Sequence, residues 1–234
     1  EGQGIISAIQ DRKNYIVRKS VNLSKQVHII ASNMDQALLV TTLAQPMTST
    51  GFMDRFLSTA EAYSIPTIIV FNKIDLYDEE EMMELEYREA VYSAIGYKVL
   101  KTSAMQGIGL EKLKEELKDK TTLLSGHSGV GKSTLVNAVE PNLDLRTGTV
   151  SLSHRKGQHT TTFAEMHPLR MGGDVIDTPG IKGFGMVNMK KEEISHFFPG
   201  IFAFSEQCRF HNCMHLNEPE CAVKSALEEN KIAP

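Results

Sequence analysis

No run of about 18 consecutive apolar residues occurs in this chain, so the sequence offers no membrane-spanning helix. The apolar core of a secretory leader is missing too, and the chain opens at Glu1 rather than at a methionine, so secretion has no support. Strand-like sequence follows Glu1 at once, and the expectation is a chain that starts inside a domain. Pro234 closes it without a clear cap, and a C-terminal segment missing from this chain is the matching expectation. Basic residues do not predominate. Lys and Arg number 25 against 29 Asp and Glu, giving a net charge of −4, which excludes a protein coated in positive charge. Nucleic-acid binding must then rest on local patches or on sequence outside the chain. Cysteine is scarce: all three lie within Cys208–Cys221, an odd number that speaks against a disulfide framework and leaves a cytosolic metal site open. Internal repeats and low-complexity tracts are absent.

What is present is ordinary for a soluble globular protein, with 41% hydrophobic and 23% charged residues. At about one domain per 150 residues, the 234 residues hold one main domain and small additions. From Ala37 onward, short apolar runs alternate with helical patterns. The runs are ALLVTTL (37–43), TIIVF (67–71), YKVL (97–100), TTLL (121–124) and DVID (174–177); the helical segments are Gly51–Ser64, Asp78–Ile95, Gly109–Asp119 and Lys132–Val139. Continuous apolar strands separated by helices predict an α/β domain, its sheet mostly parallel and covered by helices on both faces. The acidic DEEEMMELE (78–86) reads as a solvated helix face with carboxylates near the N-terminus. Residues 5–30 carry the extended pieces IISAI, NYIVRK and KQVHIIA, too few to close a barrel. After Val187, MKKEEISHFF reads as helical. So does CAVKSALEENKIA, with Ala222, Val223, Ala226 and Leu227 on one side.

Several strand ends carry chemistry. TTLLSGHSGVGKSTLVNAV has the strand–loop–helix context of a phosphate-binding loop, here Gly126, His127, Ser128, Gly129, Val130, Gly131, Lys132, Ser133 and Thr134. Its glycines let backbone N–H groups face phosphate oxygens, Lys132 supplies positive charge to the β- and γ-phosphates, and Ser133 offers a hydroxyl to Mg²⁺. The helix starting there aims its positive end at the anion. NKID follows TIIVF directly. Asp75 can accept from guanine N1–H and the exocyclic amine, a donor pair that adenine lacks. Asn72 can bond the base edge or brace the phosphate loop, and the Lys73 stem can lie over the ring. TSA (102–104), after YKVL, places Ser103 and Ala104 in a loop whose backbone N–H meets guanine O6. DTPG (177–180) ends the last strand, with Asp177 holding Mg²⁺ through water and the Gly180 N–H facing the γ-phosphate. In GQHTTT (157–162), either Thr160 or Thr161 reaches Mg²⁺. The set calls for GTP or GDP with Mg²⁺.

Two features set this nucleotide site apart. NKID precedes the phosphate loop, the reverse of the ordinary layout, which implies the same sheet wired with its ends moved: a circular permutation. Ile181 stands where a water-orienting glutamine is usual, and isoleucine cannot hydrogen-bond water. His159, beside the switch threonines, is the candidate replacement, with a loop-shaping role as the alternative. Hydrolysis is then expected to be slow until a partner orders the switches.

The pattern Cys208-x4-Cys213-x-His215-x5-Cys221 offers three thiolates and an imidazole, the donor set of a closed structural Zn²⁺ site. His211 competes as a ligand, but its place between the first two cysteines favours His215. Arg209, Lys224 and Phe210 form either a nucleic-acid contact or a solvated surface with a packing residue.

Taken in order, NKID, TSA, GHSGVGKS, GQHTTT, DTPG and CRFHNCMHLNEPEC resemble the RsgA (YjeQ) family of bacterial circularly permuted GTPases over essentially the whole chain. The resemblance implies a partial OB-fold β-barrel at 1–32, the permuted P-loop GTPase domain at 33–187, and a small α-helical zinc-binding domain at 188–234. It also implies GTP hydrolysis in late maturation of the small ribosomal subunit, stimulation by that subunit and its rRNA, binding at the decoding region, and release after hydrolysis. The expected protein is a cytoplasmic monomer. The family pattern places a hydrolytic histidine at His159. Only the end of an OB-fold fits into 1–32, and the usual helical tail is short or absent, so weaker RNA affinity is expected. A GTP-dependent ribosome-binding module with incidental hydrolysis, or a permuted GTPase of large-subunit assembly, are the competing readings.

Overall fold

The computed structural model describes residues 7–19, 27–143, 145, 164–178 and 189–233. Its centre is a six-stranded sheet in the order β5-β4-β3-β6-β8-β7. The strands are β3 (Gln36–Thr41), β4 (Thr67–Phe71), β5 (Lys98–Lys101), β6 (Thr121–Ser125), β7 (Glu165–Pro168) and β8 (Asp174–Asp177). Pairing is parallel throughout, except that β7 runs antiparallel along β8 at the edge. The unbroken apolar runs have a direct cause. Successive strand side chains point to opposite faces, and both faces are covered: Ala37 and Leu39 enter one core cluster, Leu38 and Val40 the other.

Helices α1 (Thr50–Ala62) and α2 (Glu79–Ile95) fill the first cluster with Phe52, Met53, Phe56, Leu85 and Tyr92. Helices α3 (Leu110–Leu117) and α4 (Lys132–Val139) fill the second with Leu113, Leu117, Leu135, Val136 and Val139. The acidic run behaves as its sequence suggests. Asp78 caps α2 in a reciprocal box with Glu81, its side chain accepting from the Glu81 N–H at 2.9 Å, and Glu79, Glu80 and Glu81 occupy the first turn.

The N-terminal pieces form an antiparallel pair, β1 (Tyr15–Lys19) and β2 (Val27–Ser32), with a register shift between Ile16 and Val17. Residues 7–9 of the expected IISAI strand carry no strand, and 5–6 lie outside the described residues. The pair is fastened to the main sheet by buried Asn14, whose amide donates to Met34 O at 2.8 Å and accepts from Met34 N–H at 2.9 Å. Towards the C-terminus, MKKEEISHFF is helical as expected, in the form of a 3-10 helix over Lys191–Phe197. Pro199 then opens a separate short helix, α5 (Pro199–Ser205). Helix α6 (Ala222–Glu228) buries Val223 and Ala226, whereas Leu227 is 41% exposed and Ala222 only half-buried, so the expected four-residue face is narrower. Strand β7 escaped the sequence reading because an edge strand with exposed Glu165 and Met166 and a terminal Pro168 has no apolar run to betray it.

Candidate functional site

Five parallel strands direct their C-terminal ends to one side of the sheet, where ligands of open α/β folds gather. Gly126 follows β6, Asn72 follows β4, Thr102 and Ser103 follow β5, and Asp177 closes β8. Gly126 has φ +141° and lies so close to β3 that a Cβ would stand 2.1 Å from Val40 O. Gly131, at φ +93°, would drive a Cβ to 2.6 Å from Asn72 Nδ2. Both positions therefore require glycine for the loop to turn against its neighbours.

Asn72 is the clamp between the two halves of the site. It is 1% exposed; its Nδ2 donates to Val130 O at 2.9 Å, and its Oδ1 accepts from Thr102 Oγ1 at 3.0 Å. Lys73, in a left-handed conformation at φ 63°, donates from Nζ to Gly129 O and to Gln45 O, both at 2.7 Å. Partial burial lowers the Lys73 pKa. Of the two roles open to Asn72, the structure displays the brace. Asp75 follows on a 3-10 turn, Ile74–Leu76, half-buried.

The TSA loop is closed by paired backbone bonds, Ser103 N–H to Ile108 O at 3.0 Å and Ile108 N–H to Ser103 O at 3.1 Å, and Ser103 Oγ accepts from Gln106 N–H at 3.1 Å. The Ser103 amide is thus engaged inside the loop, and half-buried Ala104 offers the next amide along.

Lys132 begins α4 and donates from Nζ to Gly126 O at 2.8 Å and His127 O at 3.0 Å. Burial lowers its pKa, and Asp177 acts in the opposite direction. Burial likewise raises the Asp177 pKa while Lys132 opposes it. A partly desolvated cation and carboxylate thus face one site, each holding the other in its charged form. Oxygen donors at Ser133 and Asp177 suit Mg²⁺. Ser133 and Thr134 are half-buried in the first turn of α4, and Ser128 is exposed on the loop. His159, Thr160, Thr161, Gly180 and Ile181 lie outside the described residues.

Near the C-terminus, the donor atoms of Cys208, Cys213, His215 and Cys221 all lie within 4.8 Å of one another. Cys208 Sγ is 4.0 Å from Cys221 Sγ and 3.7 Å from His215 Nδ1, which is 3.4 Å from Cys221 Sγ. A tetrahedral zinc with bonds of about 2.0–2.3 Å needs donors roughly 3.5–3.8 Å apart, so the four fit that ion. Burial opposes ionisation of Cys208, but the Val223 and Ala222 amides at the start of α6, with Cys213 and Cys221, bring its pKa below the ordinary value. His211 is exposed and stands outside the cluster. Arg209 is committed to an ion pair with Glu220 and lies over the Phe210 ring, 5.5 Å from its centroid.

A family model for the RsgA GTPase matches residues 9–187. The chain belongs to the RsgA GTPase family. The small ribosomal subunit biogenesis GTPase RsgA of Flavobacterium psychrophilum is 59% identical over 230 residues, which cover 98% of this chain and 71% of that protein. A protein of the same name from Bacteroides fragilis is 55% identical over 233 residues, 100% of this chain and 75% of the relative. Among solved structures, YjeQ from Thermotoga maritima superposes with a TM-score of 0.80 at 40% identity, covering 99% of this chain and 74% of that one. YloQ, described as a circularly permuted GTPase, gives 0.74 at 34% identity over 96% and 68%. This member of the RsgA family is accordingly a GTPase, and its reversed motif order is a circular permutation.

Sequence reasoning missed three residues that hold this RsgA-family site together. Tyr77 donates its hydroxyl to Asn72 O at 2.9 Å and accepts from Leu43 N–H at 2.9 Å; burial pushes its pKa up to about 12. Thr102 reaches Asn72 from β5. Thr178, 2% exposed, donates to Leu124 O at 2.9 Å and pins the end of β8 beside β6, which sets Asp177 in place. The threonines stood inside quoted motifs and could have been weighed; nothing in the sequence marked Tyr77.

Proposed function

We propose that the protein hydrolyses GTP to GDP and phosphate in late maturation of the small ribosomal subunit, which stimulates the reaction and from which the protein then departs. The observation carrying this reading is Asn72 bonded to the phosphate loop at Val130 O while NKID follows β4, so that the guanine-reading and phosphate-binding elements meet despite their reversed order. The names of the relatives, small ribosomal subunit biogenesis GTPases, supply the biological setting.

In this reading Asp75 accepts from the guanine edge, the Lys73 stem covers the ring, and the Ala104 N–H meets O6. Gly126 to Thr134 enclose the phosphates, and Lys132 stabilises the charge that develops on them. Ser133, Asp177 and one of Thr160 or Thr161 would hold Mg²⁺, which when bound would neutralise charge on the phosphates. The Gly180 N–H faces the γ-phosphate, and His159 orients the attacking water in place of Ile181. Cys208, Cys213, His215 and Cys221 hold one structural Zn²⁺ that closes the segment between α5 and α6. The division into a partial OB-fold (1–32), the GTPase domain (33–187) and the zinc-binding domain (188–234) belongs to the same proposal, as do the cytoplasm and the monomeric state.

Turnover of GTP is measured with purified small or large subunits added. A strong rise with small subunits alone is expected. Equal stimulation by large subunits transfers the protein to large-subunit assembly, and no stimulation by either leaves a binding module with incidental hydrolysis.

A further inference from the structure

The phosphate-loop pattern GxxxxGK[ST] leaves the second position open, and a small polar residue would satisfy the turn. Here it is His127, half-buried, with its ring against a core aromatic. The imidazole lies 3.9 Å from the Phe52 ring between centroids, with the planes 30° apart. Phe52 sits in the first turn of α1, is 6% exposed and belongs to the core cluster on that face of the sheet. A residue of the phosphate loop is therefore stacked on the hydrophobic core. Burial, then Lys132 and Arg55, lower the His127 pKa and disfavour the protonated ring, leaving a neutral flat surface against Phe52.

What the stack holds is the loop backbone at the catalytic lysine. An ammonium has three N–H donors; in Lys132 one bonds Gly126 O at 2.8 Å and another His127 O at 3.0 Å, so the direction of the third follows from where those carbonyls stand. Gly126 is fixed by its approach to Val40 O on β3. Further along the loop, Gly129 O and Val130 O are held by Lys73 and Asn72 from the β4 side. The stack is the anchor contributed by His127 itself.

We propose that His127 is a positioning residue of the GTPase site: stacked on Phe52, it holds the carbonyl that aims the Lys132 ammonium at the phosphates. The inference rests on Lys132 being a phosphate ligand, as in the function proposed above.

The test measures GDP and GTP affinity of full-chain variants with fluorescent nucleotides. His127→Ala is expected to weaken both about tenfold, as loss of a close aromatic stack and of its ordering would. His127→Phe, which keeps a flat ring, restores most of that loss. Phe52→Leu, which keeps the core apolar, reproduces part of it, and the double variant His127→Ala with Phe52→Leu loses little beyond His127→Ala alone. The deciding comparison uses Lys132→Ala. If His127 acts through Lys132, adding His127→Ala to Lys132→Ala costs little more affinity. A full tenfold additional loss in that background, or failure of His127→Phe to rescue, overturns the positioning role while leaving Lys132 as a phosphate ligand. Wild-type affinity in Lys132→Ala itself overturns both.

Discussion

Replacing Asn72 by Asp changes one NH₂ for an oxygen at almost constant volume, and the structure makes that change severe. Asn72 is 1% exposed, and its Nδ2 lies 2.9 Å from Val130 O, so an aspartate oxygen would face a carbonyl oxygen across that distance. The Thr102 hydroxyl still satisfies the other oxygen at 3.0 Å. Losing the amide bond and stranding Val130 O costs about 1–3 kcal/mol. The new carboxyl can avoid the clash by taking a proton. Keeping it neutral at pH 7 against an ordinary pKa of about 3.9 costs roughly 4 kcal/mol at 1.36 kcal/mol per unit. Burying an unpaired carboxylate adds to the first figure, so the expected loss is at least about 2 kcal/mol, thirtyfold or more in an equilibrium constant. Because Asn72 ties β4 and β5 to the phosphate loop, the loss is expected in GDP affinity more than in unfolding free energy. Stopped-flow dissociation of a fluorescent GDP analogue reads the first, and a urea titration the second. Acidification should recover part of the affinity, since the protonated carboxyl can donate to Val130 O. Asn72→Asp binding GDP within threefold of wild type at pH 7 would refute the clamp.

Two further outcomes are expected. Removing the metal with a strong chelator, or substituting Cys221→Ser, should abolish bound zinc by elemental analysis and open the 206–230 segment to protease, while GDP binding on the sheet persists; an unaltered digestion pattern rules out a structural ion. Asp35 accepts from Thr121 N–H at 2.9 Å and from Lys13 Nζ at 3.0 Å, which lower its pKa in that order. A carboxylate lowered in the folded state adds stability above its unfolded pKa and loses it as pH falls through the folded one. Asp35→Asn should therefore melt below wild type at pH 7, the gap closing below about pH 4; a gap of constant size across that range contradicts the assignment.

Much of the site was legible because its chemistry depends on residue types at short spacing. A loop of the phosphate-binding pattern needs Gly126, Gly129 and Gly131 in order, and three thiols and an imidazole close enough to share a metal stand out as Cys208, Cys213, His215 and Cys221. Buried strands announced themselves for the same kind of reason, since a strand covered on both faces admits few polar side chains. Illegible were the contacts whose partners lie far apart in the chain. Tyr77 bonding Leu43, Thr178 bonding Leu124 and His127 against Phe52 depend on which strand neighbours which, and no local pattern reports that. The helix at Lys191–Phe197 was legible as helical, but its 3-10 form was not, because periodicity over seven residues does not distinguish the two.

By itself, the order of residues pointed to motifs of a guanine-nucleotide site, showed them in reversed order, and picked out the side chains that could hold zinc. Those are properties of composition at fixed spacing. Only the tertiary structure decided that the reversal is harmless. The strand order β5-β4-β3-β6-β8 brings the ends of β4 and β6 together across β3 whichever comes first in the chain, and Asn72 closes the gap to Val130. Packing, not covalent order, sets which strand ends become neighbours.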